Sequence, residues 1–192
     1  MTAKPTDPHI GLVVEGAGDR GALPVLLRMH LASAADFRDI LGKPVPAHGR
    51  EKAIAEGGLE GYVVTAGLRP GCVGVLVVLD GEGDCVAELG PNLLSRAAEV
   101  IGKPVRIALA DVDFESWIYA SAESLQLDLT YSEGVNGQGA IKGALKPQKY
   151  VKPTWQPRLA SRIDLALARE RSASLARVLD RFDELLSLLP QS

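Results

Sequence analysis

The sequence predicts an α/β protein: an open, mainly parallel sheet with helices on both faces and a helical C-terminal extension. Three short apolar runs, Ile10 to Val14, Val73 to Leu79 and Val105 to Ala110, are near-continuous rather than alternating, as strands covered on both faces are. Segments with helical spacing separate them through the first 120 residues, the alternation that marks βαβ units. Beyond about residue 159 the apolar spacing is helical only.

Residues 1–8 carry two prolines and few apolar groups, and are expected to form a loose terminus. The first strand, 10–15, runs into a glycine-rich turn and a helix from about Leu23 to Ser33, with Pro24 in its first turn, where no amide hydrogen is needed. Residues 42–58 are expected as a loop and a short helix ending at Gly57-Gly58, and Tyr62 to Thr65 as a brief strand. The strand at 73–79, a helix over 91–101 with Pro91 at its start, and the strand at 105–110 follow. A helix over Phe114 to Ala122 would place Phe114, Trp117, Ile118 and Ala122 near one face. Residues 131–140 form a glycine-rich loop, and Ile141 to Leu145 one helical turn before Pro147. Two helices close the chain: about 159–170, then Ser174 to Leu189 with apolar positions 175, 178, 179, 182, 185, 186 and 189. At 192 residues this suits one domain, with an α/β core over 1–125 and a basic loop and C-terminal helices over 126–192.

Composition removes several classes. A hydrophobic content of 46% supports a packed core and argues against disorder. No apolar run approaches the roughly 20 residues of a membrane helix, and the N-terminus lacks the apolar centre of a secretion signal. Cys72 and Cys85 have no paired spacing and no nearby histidine, which excludes a zinc or disulfide framework and fits a reducing cytoplasm. His9, His30 and His48 are scattered without partners at useful spacing.

Charge is unevenly spread. Residues 1–141 hold 11 Lys/Arg against 19 Asp/Glu, whereas residues 142–171 hold 8 against 2. A basic segment after an acidic body suggests a phosphate-bearing partner or packing against that body. Lys142, Lys146, Lys149, Lys152, Arg158 and Arg162 interleave with Tyr150 and Trp155, a pattern suited to phosphates and unpaired bases. The alternative is a surface segment in which Trp155 anchors an extended loop between Pro153 and Pro157.

Each apolar run ends in acid: Val14-Glu15, then Leu79-Asp80-Gly81-Glu82-Gly83-Asp84, then Ala110-Asp111-Val112-Asp113-Phe114-Glu115. Ligands of open parallel sheets collect at the carboxyl ends of strands, so these acids would gather on one edge. Crowded carboxylates need a cation or protonation, and oxygen ligands suit a hard ion such as Mg²⁺ or Mn²⁺. Solvated strand ends are the alternative; for Glu115, stabilisation at a helix N-terminus competes equally with a ligand role.

Gly16-Ala17-Gly18-Asp19-Arg20-Gly21 has the form G-x-G-x-x-G after a strand. Glu15 and Asp19 would repel a pyrophosphate, and Asp36 and Asp39 do not end a second strand, so a tight turn exposing Glu15 is preferred. No G-x-x-x-x-G-K-[ST] loop is present.

The order of these motifs resembles the Toprim fold of topoisomerases, primases and the nucleases that accompany ATPases in phage defence. More closely, it resembles the bacterial domain-of-unknown-function 4276 family, grouped with Toprim-like proteins. The likeness rests on Val14-Glu15-Gly16 and on Leu79 through Cys85. It also rests on Phe114-Glu115-Ser116-Trp117 with Ser121 through Leu125, Ile141-Lys142 with Tyr150-Val151-Lys152, and Ser172 through Leu175, so it spans about 10 to 185. Asp19 is the nearest match to a second acid after the first Glu, and Glu82 stands where Asp is usual.

The resemblance implies a Mg²⁺-dependent nuclease with Glu15, Asp80 and Glu82 as catalytic residues. Glu15, Asp80, Glu82, Asp84 and Glu115 would be metal ligands, and Lys142, Lys149, Lys152, Arg158 and Arg162 nucleic-acid contacts. It also implies a separate ATPase partner. The other expectations are a degenerate Toprim-like module that binds a protein through its C-terminal helices, and a hydrolase of small phosphate esters.

Overall fold

The computed structural model describes residues 7–190. Four strands, β1 (His9–Val14), β2 (Val45–Pro46), β3 (Cys72–Asp80) and β4 (Val105–Ala110), form one sheet in the order β2-β1-β3-β4. Every pairing is parallel, with Val13 opposite Val77 and Val77 opposite Ile107. The chain moves from β1 outward to β2, then crosses back to β3 on the other side of β1. This reversal puts the topological switch point between the carboxyl ends of β1 and β3.

Alternate side chains of the strands build two cores. Ile10, Leu12, Val14, Leu76 and Val78 pack with α1 (Ala17–Ser33), α5 (Phe114–Tyr119), α6 (Gly137–Ala144), α7 (Lys152–Ala160), α8 (Leu165–Arg171) and α9 (Ala173–Leu186). Val13, Val75, Val77 and Leu79 pack with α2 (Arg50–Ile54), α3 (Gly58–Gly67) and α4 (Val86–Ala98) on the opposite face. The C-terminal helices are thus part of a main layer. Leu175, Val178, Leu179, Phe182 and Leu185, spaced at i, i+3 and i+4, are all buried in the first core, and α9 lies against β3 and β4.

Several boundaries differ from expectation. Tyr62 to Thr65 is helical, inside α3: its apolar residues turn Leu59, Val63 and Ala66 toward the sheet instead of forming a strand. The first long helix begins at Ala17, not Leu23, and runs through Pro24; α4 begins at Val86 and runs through Pro91. Phe114 to Ala122 divides into α5 and a 3₁₀ turn at Ala122–Ser124. Residues 137–140 of the expected glycine-rich loop open α6, capped by Asn136, whose Oδ1 accepts the Gly139 amide. Most consequential, residues 152–160 form a helix, α7, where an extended loop or the start of a later helix was expected. Pro153 sits in its first turn, where proline is tolerated. Of the expected loose terminus, residues 1–6 lie outside the described residues.

The G-x-G-x-x-G glycines have a packing role. Only Gly16 is the N-cap; Gly18 and Gly21 lie within α1 under α7. A Cβ at Gly18 would fall 1.8 Å from the Gln156 Oε1, and one at Gly21 2.7 Å from Pro157 Cγ. The two glycines let α7 press against α1 directly above the end of β1.

Candidate functional site

Three strand ends meet at the switch point. Asp80 is the last residue of β3, buried to 5% exposure, and its Oδ1 accepts the Phe114 amide at the start of α5 (3.0 Å). Glu15 follows β1 and its Oε2 accepts the Asp80 amide (3.1 Å). Asp19, in the first turn of α1, accepts the Gly16 amide through Oδ2 (2.9 Å). Glu115, on α5, is completely buried; its Oε1 accepts the Tyr150 hydroxyl hydrogen (2.8 Å).

Among the described residues, one cation is ion-paired within this group. The Lys152 ammonium, at the start of α7, stands 3.4 Å from Glu115 Oε2 and 3.7 Å from Asp80 Oδ2. It cannot neutralise four acids. Burial, reinforced by the Asp19 and Glu15 charges, pushes the Asp80 carboxyl up to about 8. Burial also raises Glu15, whose neighbours Asp19 and Glu82 add to the effect, and raises Asp19 despite Lys152 and the Gly16 amide. Burial works against the charged form of Lys152, but the Glu115, Asp80 and Asp19 charges outweigh it and raise its pKa. The Tyr150 hydroxyl is also held above its usual range, by burial and then by Glu115.

Hydrogen bonding is incomplete here. Asp19 Oδ1, Glu115 Oε2 and both amide atoms of Gln156 are buried without a hydrogen-bond partner. Lys152 is within ion-pair reach of Glu115, and the Gln156 amide lies beside Asp19 without a well-directed bond. An unsatisfied buried polar atom costs about 1–3 kcal/mol, so four in one place mark a site organised for something besides stability.

The expected site residues separate. Glu15, Asp80 and Glu115 come together. Glu82 does not join them: it is exposed on the β3–α4 turn at positive φ (49°), close enough to Glu15 to raise its pKa. Asp84 is also outside, ion-paired with Arg50, which in addition donates to the Asp80 and Gly81 carbonyls. The alternating D-x-E-x-D spacing suggests a shared face, but the turn at Glu82 and Gly83, both at positive φ, sends the acids apart.

The basic segment separates as well. Lys152 belongs to the acid cluster, and Arg162 Nη1 donates to the Leu125 carbonyl (3.2 Å). Lys142 contacts Gln138 on the surface, Arg158 stacks over Trp155 at 5.7 Å, and Trp155 in turn donates to the Lys149 carbonyl. The sequence offers Asp19 only as the nearest match to a second acid and Tyr150 only as an aromatic beside basic residues, and it gives Gln156 no role. The signal for Asp19 was its place one turn beyond Glu15; Tyr150 and Gln156 required knowing that residues 152–160 are helical.

All-oxygen donors, with Asp19 Oδ1 buried without a hydrogen bond and Glu115 Oε2 met only by the Lys152 ion pair, suit a hard divalent ion. Among the described residues no three His, Cys, Asp or Glu side chains close around one point as they stand, and Lys152 bridges Asp80 and Glu115. Ion binding would therefore require the Lys152 ammonium to give way. No helix among the described residues is long and apolar enough to cross a membrane.

The fold and site define a class: an open parallel α/β protein with a buried acid cluster at its switch point. Comparison with protein-family models, curated proteins and solved structures finds no match.

Proposed function

We propose that the protein is a Toprim-like, divalent-metal-dependent nuclease that hydrolyses phosphodiester bonds of DNA or RNA, working beside a separate ATPase. The observation that supports it best is the convergence of Glu15, Asp19, Asp80 and Glu115 on one cation, Lys152, at the switch point. Glu15, Asp19 and Asp80 would hold Mg²⁺ or Mn²⁺, which when bound polarises a phosphodiester and favours hydroxide attack. Where Glu15 is not itself a ligand of the ion, its place at the strand end suits it to take a proton from the attacking water or return one to the leaving oxygen. Lys152, displaced from Asp80, is placed to offset charge on the phosphate oxygens. Glu82 stands at the rim, where it can bind an ion through water.

The test is incubation with plasmid, linear DNA and tRNA, each with Mg²⁺ or Mn²⁺. The expected result is cleavage of at least one substrate, abolished in Asp80→Ala; no cleavage of any would remove the assignment. A second reading, a degenerate module that docks a partner, is favoured by one feature. Phe37 is 82% exposed beside a cavity lined by Leu186 and Leu189 at the end of the C-terminal helix. An inactive protein whose partner binding is lost in Phe37→Ser would support it.

A further inference from the structure

A second cavity, of about 540 Å³, opens on the same sheet edge, lined by residues that follow β4, by α5 and by the start of α9. That volume lies within the range of about 300–1,000 Å³ in which small ligands are held. Ser116, which lines it, follows Glu115 on α5, so one helix supplies a residue to the cavity and a residue to the acid cluster.

Its lining is mixed in a particular way. Val112 and Val135, 48% and 47% exposed, are apolar residues open to solvent in its wall. Tyr131 stands 5.5 Å from Tyr119, ring centre to ring centre, and the Arg171 guanidinium lies 4.7 Å from the Tyr131 ring. Arg171 is held by the Ala120 carbonyl (3.1 Å) and Glu123 (2.7 Å), so its plane is fixed before any ligand arrives. Ala173 and Ser174, in the first turn of the 14-residue α9, also line the cavity; amides of a first turn have no partner within their helix. Asp111, the acid in the wall, is paired with Arg177 (2.6 Å). The cavity thus combines apolar surface, an aromatic and guanidinium stack, and donors able to face an anion.

We propose that this cavity is a nucleotide subsite, taking one unpaired nucleotide of a single-stranded nucleic acid. The base stacks against the Tyr131 and Arg171 layer between Val112 and Val135, and its phosphate meets Arg171 and the first turn of α9. The proposal deepens the nuclease reading and rests on it for the link to cleavage: a nucleotide seated here would carry the adjoining phosphodiester toward Glu15 and Asp80. It selects single strands, because a paired base cannot enter.

The test measures binding apart from cleavage. Full-length protein in chelator is titrated into a fluorescently labelled oligothymidylate, a matched duplex and adenosine monophosphate. Wild type should bind the single strand more tightly than the duplex or the free nucleotide. Val135→Trp, which fills the cavity from an exposed position, should weaken strand binding by about ten-fold or more, the loss of one stacked base, with an unchanged melting temperature. Arg171→Lys, which keeps the charge but loses the planar stack, should weaken it as well. Strand binding unaffected by either variant, or a preference for the duplex or the free nucleotide, would overturn the subsite. Binding that follows these expectations without cleavage in any metal would leave the subsite standing and remove the nuclease.

Discussion

Acids at the carboxyl edge of the sheet and acids elsewhere on the surface are handled in opposite ways. Asp36, Glu60, Glu123 and Glu184 each have an arginine partner, and in each case arginine hydrogen bonding holds the carboxyl below its usual range. Among the described residues, Glu15, Asp19 and Asp80 share one lysine with Glu115, and their carboxyls are held above the usual range, chiefly by burial. The first group is neutralised locally in solvent, where an ion pair contributes about 0–1 kcal/mol. The second is crowded, desolvated and short of hydrogen bonds, at a net cost to the fold. A region that costs stability and sits at a topological switch point is where binding and chemistry are to be sought.

The largest expected effect comes from the glycine seam that holds Lys152 over the acids. Gly18→Val should destabilise the protein by about 2–3 kcal/mol in chemical denaturation, because a side chain there meets Gln156 and α7 must lift. A neutral or stabilising result would mean that α7 is not packed on α1 as described.

Removing the lone cation should cost less. Lys152→Met should lower stability at neutral pH by about 1–2 kcal/mol; the 3–5 kcal/mol of a broken buried pair is reduced because the lysine side chain is 39% exposed. Arg38→Met, which breaks a half-buried pair of the other group whose acid has no second charged neighbour among the described residues to leave uncompensated, should cost less, about 0.5 kcal/mol. Equal losses would erase the distinction between the two regions.

In pH dependence the two groups differ in sign. Asp80 binds its proton more tightly folded than unfolded, so its contribution to stability is fully present below about pH 4 and is lost as pH rises toward 8. Asp80→Asn should therefore melt close to wild type at about pH 4 and progressively higher than it as pH rises, by several degrees at about pH 9. Asp36 is depressed, so its contribution is present above its unfolded pKa and lost on acidification. Asp36→Asn should therefore melt lower than wild type at neutral and alkaline pH and converge with it on acidification. An alkaline limb unchanged by Asp80→Asn would contradict the crowding.

Much of the fold was legible because burial on both faces writes continuous apolar runs, and all three long strands and the edge they share follow from that. Glu15, Asp80 and Glu115 were legible as the acids at those strand ends. Tyr62 to Thr65 misled because a short apolar run does not separate strand from helix. The acid partners of Lys152 were not legible, because positive charge beside aromatic residues signals phosphate binding equally well whether it faces solvent or a carboxylate; those partners are 37 and 72 positions away. Glu82 and Asp84 were misplaced because a turn at positive φ breaks the alternation that their spacing assumes. Such partnerships are set by helix packing and turn geometry, which local sequence patterns do not carry.

The proposed nuclease depends on the edge acids holding a divalent ion in a site guarded by Lys152. Melting curves of wild type, Asp80→Asn and Lys152→Met, recorded at neutral pH with and without millimolar Mn²⁺ or Mg²⁺, test it most directly. Wild type should melt higher with the ion, Asp80→Asn should lose most of that rise, and Lys152→Met should show a larger rise because no ammonium competes. A wild-type curve unmoved by either ion, with Lys152→Met equally indifferent, would contradict it.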